Sequence, residues 1–119
     1  MNKTQIPLEA LNGGLDGAIL IGKRPGYAYA DGKRQSDTPV SWRYEVLLPG
    51  NSMSHLTVSV EGSKDRLASI ADITIAEGCR NLDFILVRLV NCIVTIYAID
   101  GLKMSAVAEG ITMIQPDKQ

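Results

Sequence analysis

Between residues 40 and 48 apolar and polar side chains alternate strictly. Trp42, Tyr44, Val46 and Leu48 fall on one face and Ser41, Arg43 and Glu45 on the other, the period-two signature of a half-buried strand. Pro49, Gly50, Asn51 and Ser52 make a turn, and residues 55–60 repeat the pattern with Leu56, Val58 and Val60 inward. Residues 17–24 are apolar and β-branched enough for an earlier strand. The most strand-like text runs from 84 to 99, too long to stay flat, and Asn91 is the expected bend or bulge. Apolar residues on both of its faces, Ile85, Val87 and Leu89 against Leu86 and Val90, imply burial on both sides, within the fold or in an oligomer. Asp100 and Gly101 would close a hairpin.

The remaining segments are less regular. Ser63 as an N-cap, with Leu67 and Ile70 three residues apart, predicts one or two helical turns over 63–70. Residues 71–77 read as a strand or an extended connection, and 102–109 as a strand or a helical stretch. Residues 1–16 form a lead-in whose Leu8, Leu11 and Leu15 can pack as a short turn, and 115–119 form a polar tail. The expected fold is mainly β: a small five- or six-stranded antiparallel barrel, OB-fold-like, with one short helix, in a single domain over 17–114. A small sandwich or split barrel would read nearly the same.

Composition narrows the chemistry. The chain has 119 residues, 12 Lys+Arg against 13 Asp+Glu and a net charge of −1, which suits one folded domain and argues against a duplex-coating basic protein. No apolar run approaches the roughly 18 residues of a membrane span, and the first residues lack a signal-peptide core, so a cytoplasmic protein is expected. Cys79 and Cys92 stand apart without a CxxC or a His-Cys cluster, so neither a disulfide framework nor zinc is expected. The single histidine, His55, shares parity with Thr57 and Ser59 on a polar strand face. Acids sit mostly beside glycine, as in Asp31-Gly32 and Glu61-Gly62, which is turn chemistry. Gly13, Gly14 and Gly17 lack the strand-to-helix context of a nucleotide loop. No catalytic constellation and no cofactor site emerge.

One asymmetry remains. Four of the six aromatic residues, Tyr27, Tyr29, Trp42 and Tyr44, lie between 22 and 44, together with Lys23, Arg24, Lys33, Arg34 and Arg43 against only Asp31 and Asp37. Cations neutralise phosphates while rings stack on unpaired bases, so this mixture suits single-stranded nucleic acid. Trp42 and Tyr44 share parity with Val46 and Leu48, which makes them candidates for the core as well as for stacking. Tyr27 and Tyr29, in the loop over 25–39, have no such packing explanation.

The strand and turn layout through Ile19-Leu20-Ile21-Gly22-Lys23-Arg24, Tyr29-Ala30-Asp31-Gly32-Lys33, Trp42-Arg43-Tyr44-Glu45-Val46-Leu47-Leu48 and Leu56-Thr57-Val58-Ser59-Val60, with the later Val87-Arg88-Leu89-Val90-Asn91-Cys92, resembles the small YdcP-like accessory proteins of integrative and conjugative elements. The resemblance implies an oligonucleotide-binding-like barrel and a role as a helicase processivity factor in replication of a mobile element. It also implies single-stranded DNA as ligand and a helicase or relaxase as partner. The other reading is a structural or adaptor protein of a phage or conjugative element, acting through protein contacts of the exposed loop and of the 84–99 strand. Carbohydrate binding on such a barrel would use the rings but leave the basic pairs unexplained.

Overall fold

A computed structural model describes residues 3–98 and 102–114. Eight strands build one sheet: β1 (Lys3–Pro7), β2 (Gly17–Gly26), β5 (Ser41–Leu48), β6 (Ser54–Glu61), β7 (Ile85–Val90), β8 (Ile93–Ala98), β9 (Leu102–Ala108) and β10 (Gly110–Met113). They lie in the order β1-β8-β9-β6-β5-β2-β7-β10. Between β2 and β5 the chain makes a second, two-stranded sheet from β3 (Tyr29–Ala30) and β4 (Lys33–Arg34). A single helical turn, α1 (Leu8–Leu11), follows β1, and α2 (Asp72–Arg80) precedes β7.

The expectation of a mainly β chain holds, but the barrel does not close. Among the described residues β1 and β10 are free edges, because β10 pairs with β7 and β1 with β8 and neither meets the other. Nor is the sheet purely antiparallel. β9 runs parallel to β6 through Val58↔Ala106 and Val60↔Ala108. The lead-in is not separate from the sheet either, since Thr4 and Ile6 pair with Ile96 and Val94. The polar tail over 115–119 and the turn at Asp100 and Gly101 lie outside the described residues.

One face of the sheet carries the core. Tyr44, Val46 and Leu48 pack with Leu56, Val58 and Val60, and Val87, Leu89, Val94, Ala106 and Ala108 extend the layer across the other strands. Leu67, Ile70 and Ile75 cover this face from the 62–80 segment, so the chain there serves as a lid on the core. The helix falls later than the sequence predicts. Residues 63–70 form turns, and the helical segment is 72–80, where a strand or extended connection was expected. Asp65 Oδ1 accepts the Leu67 N–H at 2.9 Å, a local bond that competes with a helical turn at this point.

The opposite face is bare over β8 and β9, where Ile93 and Val107 remain exposed. Leu86 and Val90 are exposed as well, so among the described residues the 84–98 stretch is not buried on both sides within the chain. Asn91 does break that run, adopting a φ of 48° between β7 and β8. The diglycine after Asn12 is structural: Gly13 and Gly14 take φ values of 61° and 90°. Asn12, fully buried, donates to the Leu15 and Gly17 carbonyls and accepts the Gly50 N–H, tying the start of β2 to the turn after β5.

Candidate nucleic-acid interface

A bulge in β2 decides which basic residues face solvent. Leu20 pairs with Val46 and Gly22 with Glu45, so Ile21 and Gly22 together oppose one residue. The extra residue reverses the alternation, as a bulge must. Lys23 then pairs with the inward Tyr44, while Arg24 pairs with the outward Arg43.

Lys23 and Tyr44 are therefore corrections to the predicted site. The Lys23 side chain is only 7% exposed; its Nζ donates to Asp65 Oδ2 at 2.5 Å and to the Leu67 carbonyl at 2.8 Å. Tyr44 is fully buried, donates to Asp65 Oδ1 at 2.8 Å and accepts the Arg66 N–H at 2.8 Å. Burial and the Asp65 carboxylate together push the Tyr44 phenol above its ordinary range. Burial draws the Asp65 carboxyl upward, but hydrogen bonds from Lys23, Leu67 and Tyr44 outweigh it and hold the group below the ordinary carboxylate value. Neither Lys23 nor Tyr44 has a surface to offer a ligand. Trp42 is half-buried against the core, its indole N–H donating to the Ser63 carbonyl at 3.1 Å, so it too belongs to the clamp on the 62–67 segment.

The other predicted residues come together differently. Arg24 and Arg43 are cross-strand neighbours, both exposed, and neither makes an ion pair among the described residues. Like charges directly opposite each other are destabilising in a sheet unless an anion shares them. Gly26, on the same face as Arg24, leaves the space the pair needs: a Cβ there would lie 2.6 Å from Ser41 Oγ and 3.5 Å from Arg43 Nε.

Beyond this root the β2–β5 hairpin continues as an exposed arm. Val40 donates to the Gly26 carbonyl at 2.9 Å, and Gln35 to the Ala28 carbonyl at 2.9 Å. The tip turns at Asp31 and Gly32, whose φ values of 52° and 77° suit a two-residue hairpin loop. Tyr29 pairs with Arg34 and Ala30 with Lys33. The Arg34 guanidinium carbon sits 3.8 Å from the centroid of the Tyr27 ring. Tyr29 is 62% exposed. The arm thus presents Tyr29, a guanidinium stacked on Tyr27, and Lys33, over a root of Arg24 and Arg43.

A groove of about 570 Å³ opens elsewhere, between Glu61, Arg66, Asn91, Ile93, Val107 and Glu109. Its two carboxylates make it a poor place for a phosphate. His55 is exposed, its Nε2 3.7 Å from Glu45 Oε1. Cys79 and Cys92 are free, and burial, aided by the Glu9 carboxylate, raises the Cys92 thiol to about 11. Among the described residues no cluster of three or more His, Cys, Asp or Glu side chains suits a metal ion, and no helix is long and apolar enough to cross a membrane.

No family model, curated protein or solved structure matches this chain.

Proposed function

We propose that the protein binds single-stranded nucleic acid, DNA first among candidates, without sequence specificity, through the β2–β5 arm and its root. The observation that carries this reading is the Arg24–Arg43 pair, two guanidinium groups side by side with no ion pair among the described residues, under an arm whose exposed tip adds Arg34, Lys33 and Tyr29. Phosphates between Arg24 and Arg43 relieve their mutual repulsion, while Tyr29 and the Arg34 plane stack on bases. The resemblance to accessory proteins of conjugative elements agrees with such a role in replication or transfer of a mobile element, with a helicase or relaxase as partner. Titration into a fluorescent single-stranded oligonucleotide at low and moderate salt tests it. Affinity falls steeply with salt if the arm binds phosphates; absence of binding at low salt defeats the proposal.

The adaptor reading has one observation of its own. Leu86 and Ile114 border two grooves of about 240 and 390 Å³, the first lined also by Leu15 and Pro49 and the second by Phe84 and Met113, beside the free edge of β10. An exposed apolar surface at a sheet edge suits a protein partner. Binding to a protein there would persist at high salt, where the nucleic-acid complex would not.

A further inference from the structure

The uncovered face of the sheet carries a second mixture of cation and aromatic that the sequence does not reveal. Lys3 of β1 pairs with Tyr97 of β8, and Tyr97 pairs in turn with Lys103 of β9. The inward residues of these strands, Ile6, Val94, Ile96, Met104 and Ala106, pack in or against the core, so Lys3, Tyr97 and Lys103 lie side by side on the outer face. Both lysines are exposed and neither makes an ion pair among the described residues. The Tyr97 hydroxyl is 3.1 Å from Ser105 Oγ, so the ring leans along the outer face toward β9.

The next rows on this face are uncharged. Gln5, Thr95 and Ser105 come first, then Pro7, Ile93, Val107 and Ser59, and the second of these rows ends on Arg43 and Arg24. With strands about 4.8 Å apart and residues about 3.3 Å apart, Tyr97 lies roughly 20 Å from Arg43 across the sheet. Carboxylates flank this path on both sides without interrupting the row itself: Glu45 lies beyond Thr57, and Glu61 and Glu109 stand in the groove whose wall Ile93 and Val107 share, with Arg66 among them.

We infer that Lys3, Tyr97 and Lys103 form a second contact for the same single strand, Tyr97 stacking on a base between two phosphate-binding lysines, so that the strand crosses the open face from the arm root to β1. This inference rests on the nucleic-acid reading above and extends it. Charge complementarity selects the occupant: two exposed lysines without an ion pair among the described residues, flanking a ring, suit a polyanion with exposed bases, and a duplex offers no free base face.

The test compares oligothymidylates of about five and about fifteen residues, lengths that bracket a single-strand site of this size. Wild type gains affinity between the two lengths. The double variant K3Q/K103Q, altered only at exposed positions, loses that gain, and its plot of log affinity against log salt becomes shallower by about 0.7 per lysine removed. Y97L binds the longer strand at least about fivefold more weakly and Y97F retains it, since stacking needs the ring and not the hydroxyl. Unchanged length dependence and salt slope in K3Q/K103Q overturn the second contact and leave binding to the arm. A wild-type protein that binds neither length overturns the function itself, and equal affinity for a duplex overturns base stacking at Tyr97.

Discussion

Lys23 and Asp65, 42 positions apart, meet at 2.5 Å beneath the 62–70 segment, with Tyr44 closing the other carboxylate oxygen at 2.8 Å. Both charged side chains are nearly excluded from solvent. Removing one partner leaves the other charge buried and unmatched. Lys23→Met is expected to destabilise the fold by about 3 kcal/mol, measured by urea denaturation, without changing the salt dependence of nucleic-acid binding. A loss of binding with stability intact would return Lys23 to the ligand surface.

The same cluster sets an acid limit. Asp65 in the folded protein releases its proton more readily than in the unfolded chain, so its contribution is complete above the ordinary carboxylate value near 3.9 and fades as pH falls through the lower folded one. Thermal unfolding between pH 6 and about pH 2 follows this. The wild-type Tm drops below about pH 4, and Asp65→Asn, less stable at neutral pH, shows a shallower drop.

Arg24 and Arg43 make opposite predictions for stability and for binding. Replacing Arg43 with Gln relieves a cross-strand repulsion and raises stability by a few tenths of a kcal/mol, of order 0.2–0.5. The same change weakens binding to every single-stranded sequence about equally. Paired denaturation and anisotropy measurements check both signs, and a variant that is destabilised yet binds normally contradicts the assignment.

Gly26→Ala tests the root without touching charge. The new methyl would meet Ser41 Oγ at 2.6 Å and crowd Arg43, so affinity falls while net charge stays the same. Isothermal titration with an oligothymidylate reads the loss.

The two thiols should differ in reactivity. Cys92 is buried with its thiol raised to about 11, whereas Cys79 is half-buried on α2. In native buffer at neutral pH a thiol reagent modifies one equivalent, at Cys79, and reaches Cys92 only on unfolding. Rapid labelling of Cys92 would mean that the β7–β8 bend opens.

The alternating strands were legible because one face is buried and the other wet: Tyr44, Val46 and Leu48 fall where their parity places them, and Asn91 breaks the chain where an asparagine tolerates a positive φ. The helix was not. Ile73, Thr74 and Ile75 are β-branched and read as strand, and only Ile75 is buried, so α2 is held by docking against β2 and the core rather than by its own propensity. The site was half legible. Composition drew attention to residues 22–44, but the bulge at Ile21 and Gly22 exchanges the faces of Lys23 and Arg24, and nothing in local periodicity announces a bulge. Tyr97, Lys3 and Lys103 were invisible because only strand register joins them.

The pairing of β1 with β8 constrains the order in which the chain can assemble. Lys3 finds Tyr97 only after most of the chain exists, whereas β2, β5 and β6 are consecutive antiparallel neighbours that can zip from local turns. β2, β5, β6 and β7 can all have settled while β1, made first, still waits for β8. Its five residues thus act as the closing latch of the sheet: in hydrogen exchange they should be the last to gain protection on refolding and among the first to lose it.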